Sequence, residues 1–408
     1  MAESTLPLLL KGYAWLPDAR RRNGGEPLRT RLLGKPAIAL HGPEAVRFFY
    51  DEDHVHRRAA LPEPVVDTLF GRGAVHTLDG DAHRVRKAMF LGLLTDPVRV
   101  RALADEVARE WDRARTEWSG QREVTLFDAF ALVLTRAVHT WAGVPLAEGE
   151  AAPVARDLVA MVDGFASAGP RHFRARAARR RQEERIASLV ERERQRAAGP
   201  GAADDSPFRT VTGHRDADGS PLPTHTAAVE VLNILRPTVA VTWFATFAAH
   251  ALHRWPEHRA ALMNPDDPAY ATAFSQEVRR FYPFAPFVGG LAARDLQWLG
   301  RPVPEGTLVL LDLYGHNHDP ELWPRPYAFD PSRFLDTPVG RDDLVPQGGG
   351  DPAAGHRCPG EDVTLTVLAT LSTLLARLSY EVVEQDLRIP LNRVPTAPRS
   401  GFVVTDVH

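Results

Sequence analysis

Along the first sixty or so residues the apolar positions come in short runs between turn residues, as in PAIALHG, and they predict short strands. From Pro97 the period changes. In VRVRALADEVAREWDRARTEW, Val98, Leu103, Val107 and Trp111 recur among charges at spacings of mostly three and four, which predicts an amphipathic helix facing a core. Arg171 to Arg194 repeats its charges at helical spacing, read either as a solvated helix face or as a cationic rim that steers anionic, lipid-like substrates. Ala197 to Thr226 is dense in Gly, Pro, Asp and Ser and predicts a long surface connection. Ala227 to Trp255 then forms the most apolar stretch of the chain, apolar on nearly all sides, and predicts a long helix at the centre of the fold. No internal repeat is found and the prolines are scattered, so the pattern predicts a single domain over residues 1–408, mainly α with small β-sheets.

Two local rules are broken side by side in that central helix. Pro237 removes a backbone hydrogen bond and clashes with the preceding turn, at about 3 kcal/mol. Arg236 beside it needs a partner, because a buried unpaired charge costs several kcal/mol. Either the helix kinks and Arg236 meets a protein carboxylate, or this is a functional site. Composition narrows the classes of function further. With 49 basic and 52 acidic residues there is no positive excess to argue for nucleic acid, and 44% hydrophobic residues suffice for a large core. One cysteine, Cys358, excludes an intrachain disulfide, which fits a cytoplasmic setting. The run Leu6 to Leu10 is short and broken by Pro7, so neither a signal peptide nor a membrane anchor is expected there.

The chemistry centres on PQGGGDPAAGHRCPGEDVTLTVLATL, where a glycine-rich loop leads through Cys358 into an apolar helix. A thiolate at a helix N-terminus is favoured by the dipole and free N–H groups, and glycines let backbone pass close to a flat cofactor. The alternatives for a lone cysteine are a small inert hydrophobe or a hydrolase nucleophile whose partners spacing cannot reveal. Two further motifs precede the loop: Glu277-Val278-Arg279-Arg280, and Phe329-Asp330-Pro331-Ser332-Arg333-Phe334. In this order the three motifs resemble the cytochrome P450 family over about residues 60–400. The resemblance implies that fold, with haem b (iron protoporphyrin IX) between the central helix and the cysteine loop. It implies Cys358 as the axial iron ligand, a structural ion-paired triad of Glu277, Arg280 and Arg333, and haem-propionate contacts from His83, Lys87 and His356.

Two departures from the common monooxygenase pattern point to one branch of that family. Arg236-Pro237 stands where an acid–alcohol pair is usual, and the cysteine loop carries Gln347-Gly348-Gly349-Gly350 with no phenylalanine seven residues before Cys358. Together with Leu69-Phe70-Gly71 and His76-Thr77-Leu78-Asp79-Gly80, these features resemble the fatty-acid peroxygenases and decarboxylases. That branch implies hydrogen peroxide as oxidant without an obligatory redox partner, and long-chain fatty acids oxidised at Cα or Cβ to hydroxy acids and terminal alkenes. It implies Arg236 as the carboxylate anchor and Pro237 and His76 as catalytic neighbours. His76, with a physiological pKa, is expected to control the carboxyl proton and favour decarboxylation. Phe70 is expected to pack on His76 or the haem edge, and Phe284, Phe287 and Val288 to line the acyl channel. The competing readings are a dioxygen-dependent monooxygenase with a redox partner and a haem sensor without turnover.

Overall fold

The computed structural model describes residues 2–197, 205–335, 339–353 and 355–408. Helices dominate, with three small sheets. The largest sheet runs Leu28–Leu32, Lys35–Leu40, Leu308–Asp312, Phe287–Ala292, Val55–His56 in spatial order. Its Lys35–Leu40 strand, expected from PAIALHG, pairs in parallel with Leu308–Asp312, and the other pairs are antiparallel. Side chains alternate across the sheet. Ile38, Leu40, Val309 and Leu311 join a cluster with Val46 and Phe49, while Ala37, Ala39 and Leu310 face Trp15 and Leu16.

The helix Pro97–Trp118 forms as its period predicts, but one residue is out of phase. Val98 is 77% exposed, and the buried stripe is Val100, Leu103, Val107, Trp111, Ala114 and Trp118. The reason is spacing, since Val98 stands five residues before Leu103 and Val100 three, together with the start of the helix. Asp96 caps it by accepting from the N–H of Val98 at 2.8 Å, and Pro97 follows, which holds Val98 in the first turn beside solvent.

The central helix is two helices end to end, Thr224–Val239 and Val241–Arg254, not one. The break falls at Ala240, three residues after Pro237, while Pro237 itself lies inside the first helix and costs it the hydrogen bond to the Asn233 carbonyl one turn earlier. From Ala227 to Val239 every residue is buried except Pro237, which keeps a partly open surface in the middle of the core. The combined span Thr224–Arg254 is long and apolar enough to cross a membrane, yet 94% of its most apolar window is covered by protein. It is a core element. The largest hydrophobic cluster packs on it and draws residues from Val75 to Val407.

Two other expectations need correction. The stretch taken as surface connection contains a helix, Pro207–Gly213, which starts at a Ser206 cap followed by proline and buries Phe208 and Val211. Residues 198–204 of that stretch lie outside the described residues. The arginine-rich segment is one helix, Pro170–Ala197, and its charges are not simply solvated. Arg171 pairs with Asp163 at 3.0 Å, and Arg179 is buried and turned inward.

Candidate active site around Cys358 and Arg236

The cysteine loop is held from both sides. Gly348 and Gly350 take positive φ values of 96° and 75°, and a Cβ at Gly348 would stand 2.3 Å from the Tyr50 hydroxyl, so only glycine lets the loop lie on the helix Pro43–Tyr50. The N–H of Cys358 donates to the Gln347 carbonyl at 3.3 Å. The Gln347 amide donates to Thr364 Oγ1 at 3.0 Å and lies 3.7 Å from Cys358 Sγ. Buried Arg279 donates to Gln347 Oε1 at 3.2 Å and pairs with Glu361, which Arg357 also contacts at 2.7 Å. Gln347 and Arg279 were not singled out as loop supports in the sequence, because a motif shows order along the chain and not who reaches back.

Cys358 is followed by the helix Glu361–Arg377, yet the expected thiolate stabilisation does not prevail in the protein alone. Burial pushes its thiol up, against the smaller opposing effects of the Gly360 N–H, Lys87 and Arg279. The residue nevertheless keeps an intermediate accessible surface. A metal cation bound there would favour the thiolate, so the donor fits the iron that the motifs imply. Nearby, His76 Nδ1 and Arg236 Nε are buried without a hydrogen-bond partner among the described residues, while His83 Nδ1 and His356 Nε2 each stand 3.5 Å from a carboxylate, of Glu52 and of Asp79. His83 and His356 stack with ring centroids 3.8 Å apart, and burial pushes them down to about 3 and about 4. Lys87, one turn beyond His83 on the helix Gly80–Leu94, donates to the carbonyls of Gly355 and Arg357, and burial pushes it down to about 8. Lys87 and the two imidazoles are the groups that would meet a pair of propionates here.

Glu277 and Arg280, on the helix Ala269–Phe281, are buried and form a two-pronged pair at 2.7 Å. Arg280 also donates to the carbonyls of Asn317 and Pro326, both at 2.9 Å. Arg333 Nε approaches Glu277 Oε1 at 3.8 Å and its other end donates to the Arg325 carbonyl. The triad therefore assembles, with Arg333 as its looser member. Glu277→Gln is expected to lower stability by roughly 3–5 kcal/mol, since it strands a buried guanidinium. Denaturant unfolding of the haem-loaded protein measures this, and a loss below about 1 kcal/mol would remove the pair from the structural core.

On the opposite side stands Arg236, 4% exposed. It meets no carboxylate among the described residues: Nη2 donates to Asn233 Oδ1 at 3.1 Å, and its guanidinium carbon lies 5.6 Å from the Phe70 ring centre. Burial first, and then the neighbouring Arg179, push its pKa down to about 9, and the guanidinium stays charged at neutral pH. The Phe70 and His76 rings are 4.4 Å apart. The expected physiological pKa of His76 is not found. Burial, with Arg236 next, holds it well below the ordinary value, so the imidazole is neutral. Phe70 closes a single π-helical turn, Val66–Phe70. Buried Arg179 fastens that turn by donating to the Leu69 and Phe70 carbonyls at 2.9 and 3.0 Å, balanced by Glu183 at 2.6 Å. Gly71 is required there, because any Cβ would strike Arg179.

The three expected channel residues are not brought to one wall. Phe287 and Val288 are neighbours in a strand and point to opposite faces of the sheet, Phe287 toward Trp15 and Val288 into the cluster with Val46. Only Phe284 packs with the cluster that holds the helix of Arg236, with its ring 4.6 Å from Phe244.

Residues 267–403 match the cytochrome P450 family profile. Over its whole length the structure superposes on cytochrome P450SP alpha (CYP152B1) in complex with (R)-ibuprophen, with TM-score 0.95, 43% identity and 99% of that chain covered. It superposes on cytochrome P450EX alpha (CYP152N1) with myristic acid at TM-score 0.93 and 37% identity, covering 97% of that chain. A variant of cytochrome P450 OleT in complex with arachidonic acid matches at TM-score 0.95 and 33% identity, covering 96% of that chain. A more distant relative, abscisic acid 8'-hydroxylase 3 of Oryza sativa subsp. indica, is 23% identical across 94% of this chain and 80% of its own.

Proposed function

We propose, from the premise that the chain belongs to the cytochrome P450 family and within it to the fatty-acid peroxygenase branch, that this protein uses hydrogen peroxide to oxidise long-chain fatty acids at Cα or Cβ. The observation that carries the reading is Arg236: a buried cation with Arg179 rather than a carboxylate as its charged neighbour. Such a position favours an anionic ligand. The myristic and arachidonic acid bound to two of the matched structures are of that class.

In this reading haem b, bound through Cys358 with His83, Lys87 and His356 as partners for its propionates, supplies the oxidising chemistry. Arg236 holds the substrate carboxylate through charge-assisted hydrogen bonds and so fixes the first methylene groups of the acyl chain. Pro237 keeps the adjacent wall of the helix open. The carboxylate itself takes a proton from one oxygen of the peroxide and returns it to the other, a task that an acid–alcohol pair would otherwise perform. Hydroxylation yields one hydroxy acid and one water per peroxide; decarboxylation yields a terminal alkene, carbon dioxide and two waters. No redox partner is needed, and the setting is cytoplasmic.

The test is to mix haem-loaded protein with hydrogen peroxide and a long-chain fatty acid, without any reductase, and to identify products by mass spectrometry. Hydroxy acid or alkene supports the reading. Turnover that requires a reductase and dioxygen overturns it. The neutral His76 has a ring nitrogen without a hydrogen-bond partner among the described residues, and a hydrogen bond from it to the carboxylate would hold the head group in the orientation from which carbon dioxide leaves. His76→Gln is therefore expected to shift the products toward hydroxy acid without destroying activity. A tenfold change in ratio needs only about 1.4 kcal/mol between the two barriers. An unchanged ratio at equal peroxide and substrate would leave His76 a packing residue.

A further inference from the structure

Three polar residues stand three apart in the apolar helix Thr224–Val239: Glu230, Asn233 and Arg236. All three are buried, Glu230 completely. That spacing places each beside the next, and the structure links them. Asn233 Nδ2 donates to Glu230 Oε2 at 2.9 Å, and Asn233 Oδ1 accepts from Arg236 Nη2 at 3.1 Å. The other carboxylate oxygen, Glu230 Oε1, accepts from the N–H of Val75 at 2.8 Å and from Arg86 Nη1 at 3.1 Å. Arg86 in turn donates to the Gly73 carbonyl at 2.7 Å and is chelated by Asp216. Val75 immediately precedes His76. One carboxylate thus fastens both the segment carrying the histidine and, through one amide, the arginine.

The orientation of the Asn233 amide is determined by its neighbours. Glu230 is met only by donors, so the ionised form is the one whose oxygens are all satisfied, although burial pushes its carboxyl up. Facing an acceptor, Asn233 must turn its NH2 to Glu230 and hence its oxygen to Arg236. The guanidinium therefore receives an acceptor that holds its direction without cancelling its charge. A carboxylate in the place of Asn233 would pair with Arg236 and compete with any bound anion.

We infer that Glu230 and Asn233 are positioning residues that keep Arg236 aimed and uncompensated for a carboxylate ligand. This inference rests on the reading of Arg236 as the carboxylate anchor. Glu230→Gln changes no shape, but its new amide would have to place its oxygen on Val75 and Arg86 and its NH2 against the NH2 of Asn233. The Asn233 amide then flips and presents a donor to a cation. Asn233→Leu removes the link at nearly equal volume.

The experiment measures, by calorimetry on haem-loaded protein, the affinity for a long-chain fatty acid and for the alcohol of the same length, which lacks the anion. Glu230→Gln and Asn233→Leu should each weaken fatty-acid binding by about tenfold, the scale of one charge-assisted hydrogen bond. Alcohol binding should change less than about twofold. In an Arg236→Ala background, Asn233→Leu should have no further effect on the acid, as expected when two residues act through one contact. Equal losses for acid and alcohol would mean general damage to the helix and would overturn the inference. So would wild-type acid affinity in Asn233→Leu, whether or not Glu230→Gln folds. If Arg236→Ala itself leaves acid affinity unchanged, the anchor reading fails and the relay with it; if Arg236→Ala weakens the acid and Asn233→Leu does not, the relay alone fails.

Discussion

Cys358→Ser is expected to leave a folded protein that has lost the strongly red-shifted carbon monoxide band of a reduced haem-thiolate and, with it, peroxide-driven turnover. The fold should survive because the loop is fastened by groups other than the sulfur. Gln347, Arg279, Arg357 and Glu361 hold one another, and among the described residues the polar side-chain contact of Sγ is the weak 3.7 Å approach of Gln347. The chemistry should not survive, since a thiolate donates electron density to iron and favours O–O cleavage, which a neutral hydroxyl does not. Serine also has almost the same shape, so the loss reports ligation and not packing. Retention of the red-shifted band in this variant would remove Cys358 from the axial position.

Much of this site was legible because its motifs stand in a set order. Glu277 and Arg280 three apart on a helix mean little by themselves, and the cysteine loop little more; standing in order with the Phe329–Phe334 segment between them, they become readable. Arg236-Pro237 was legible for the opposite reason: it violates the helix around it. What failed was whatever depends on direction. Val98 stands five residues before Leu103 and turns outward at the capped start of the helix, while Val100, three before Leu103, turns inward. Phe287 and Val288 look alike as apolar neighbours, but a strand sends them to opposite faces.

Two omissions had a signal that was available. Glu230, Asn233 and Arg236 lie on one helical face in an otherwise apolar stretch, and that pattern by itself points to a connected buried network. Ser206-Pro207 marks a helix start inside a segment whose composition suggested only loop. Arg179 had no comparable signal. It is one arginine among many at helical spacing, and its burial against the Leu69 and Phe70 carbonyls follows from the packing of one helix on a distant turn. The pKa of His76 was equally out of reach, because it depends on burial and on groups brought from three other segments, Arg236 first among them.

Arg236→Ala is expected to abolish peroxide-driven turnover of fatty acids while leaving haem binding and global stability close to wild type. The contrast with Glu277→Gln follows from what each side chain leaves behind. Removing Glu277 strands Arg280, a buried charge that was paired; removing Arg236 strands no counter-ion among the described residues. The cost is limited to the unpaired Asn233 oxygen and a small cavity, and it is offset by the disappearance of a desolvated cation beside Arg179. Ligand binding should behave differently. Two charge-assisted hydrogen bonds at about 1.5–3 kcal/mol each are lost, so fatty-acid affinity should fall by about a hundredfold or more. Turnover should fall further than affinity, because a carboxylate that is no longer held beside the peroxide cannot move its proton. Saturating substrate therefore should not restore the rate. Thermal unfolding, the carbon monoxide band and single-turnover product analysis on one preparation separate these effects, and near wild-type turnover in the variant would end the substrate-assisted mechanism.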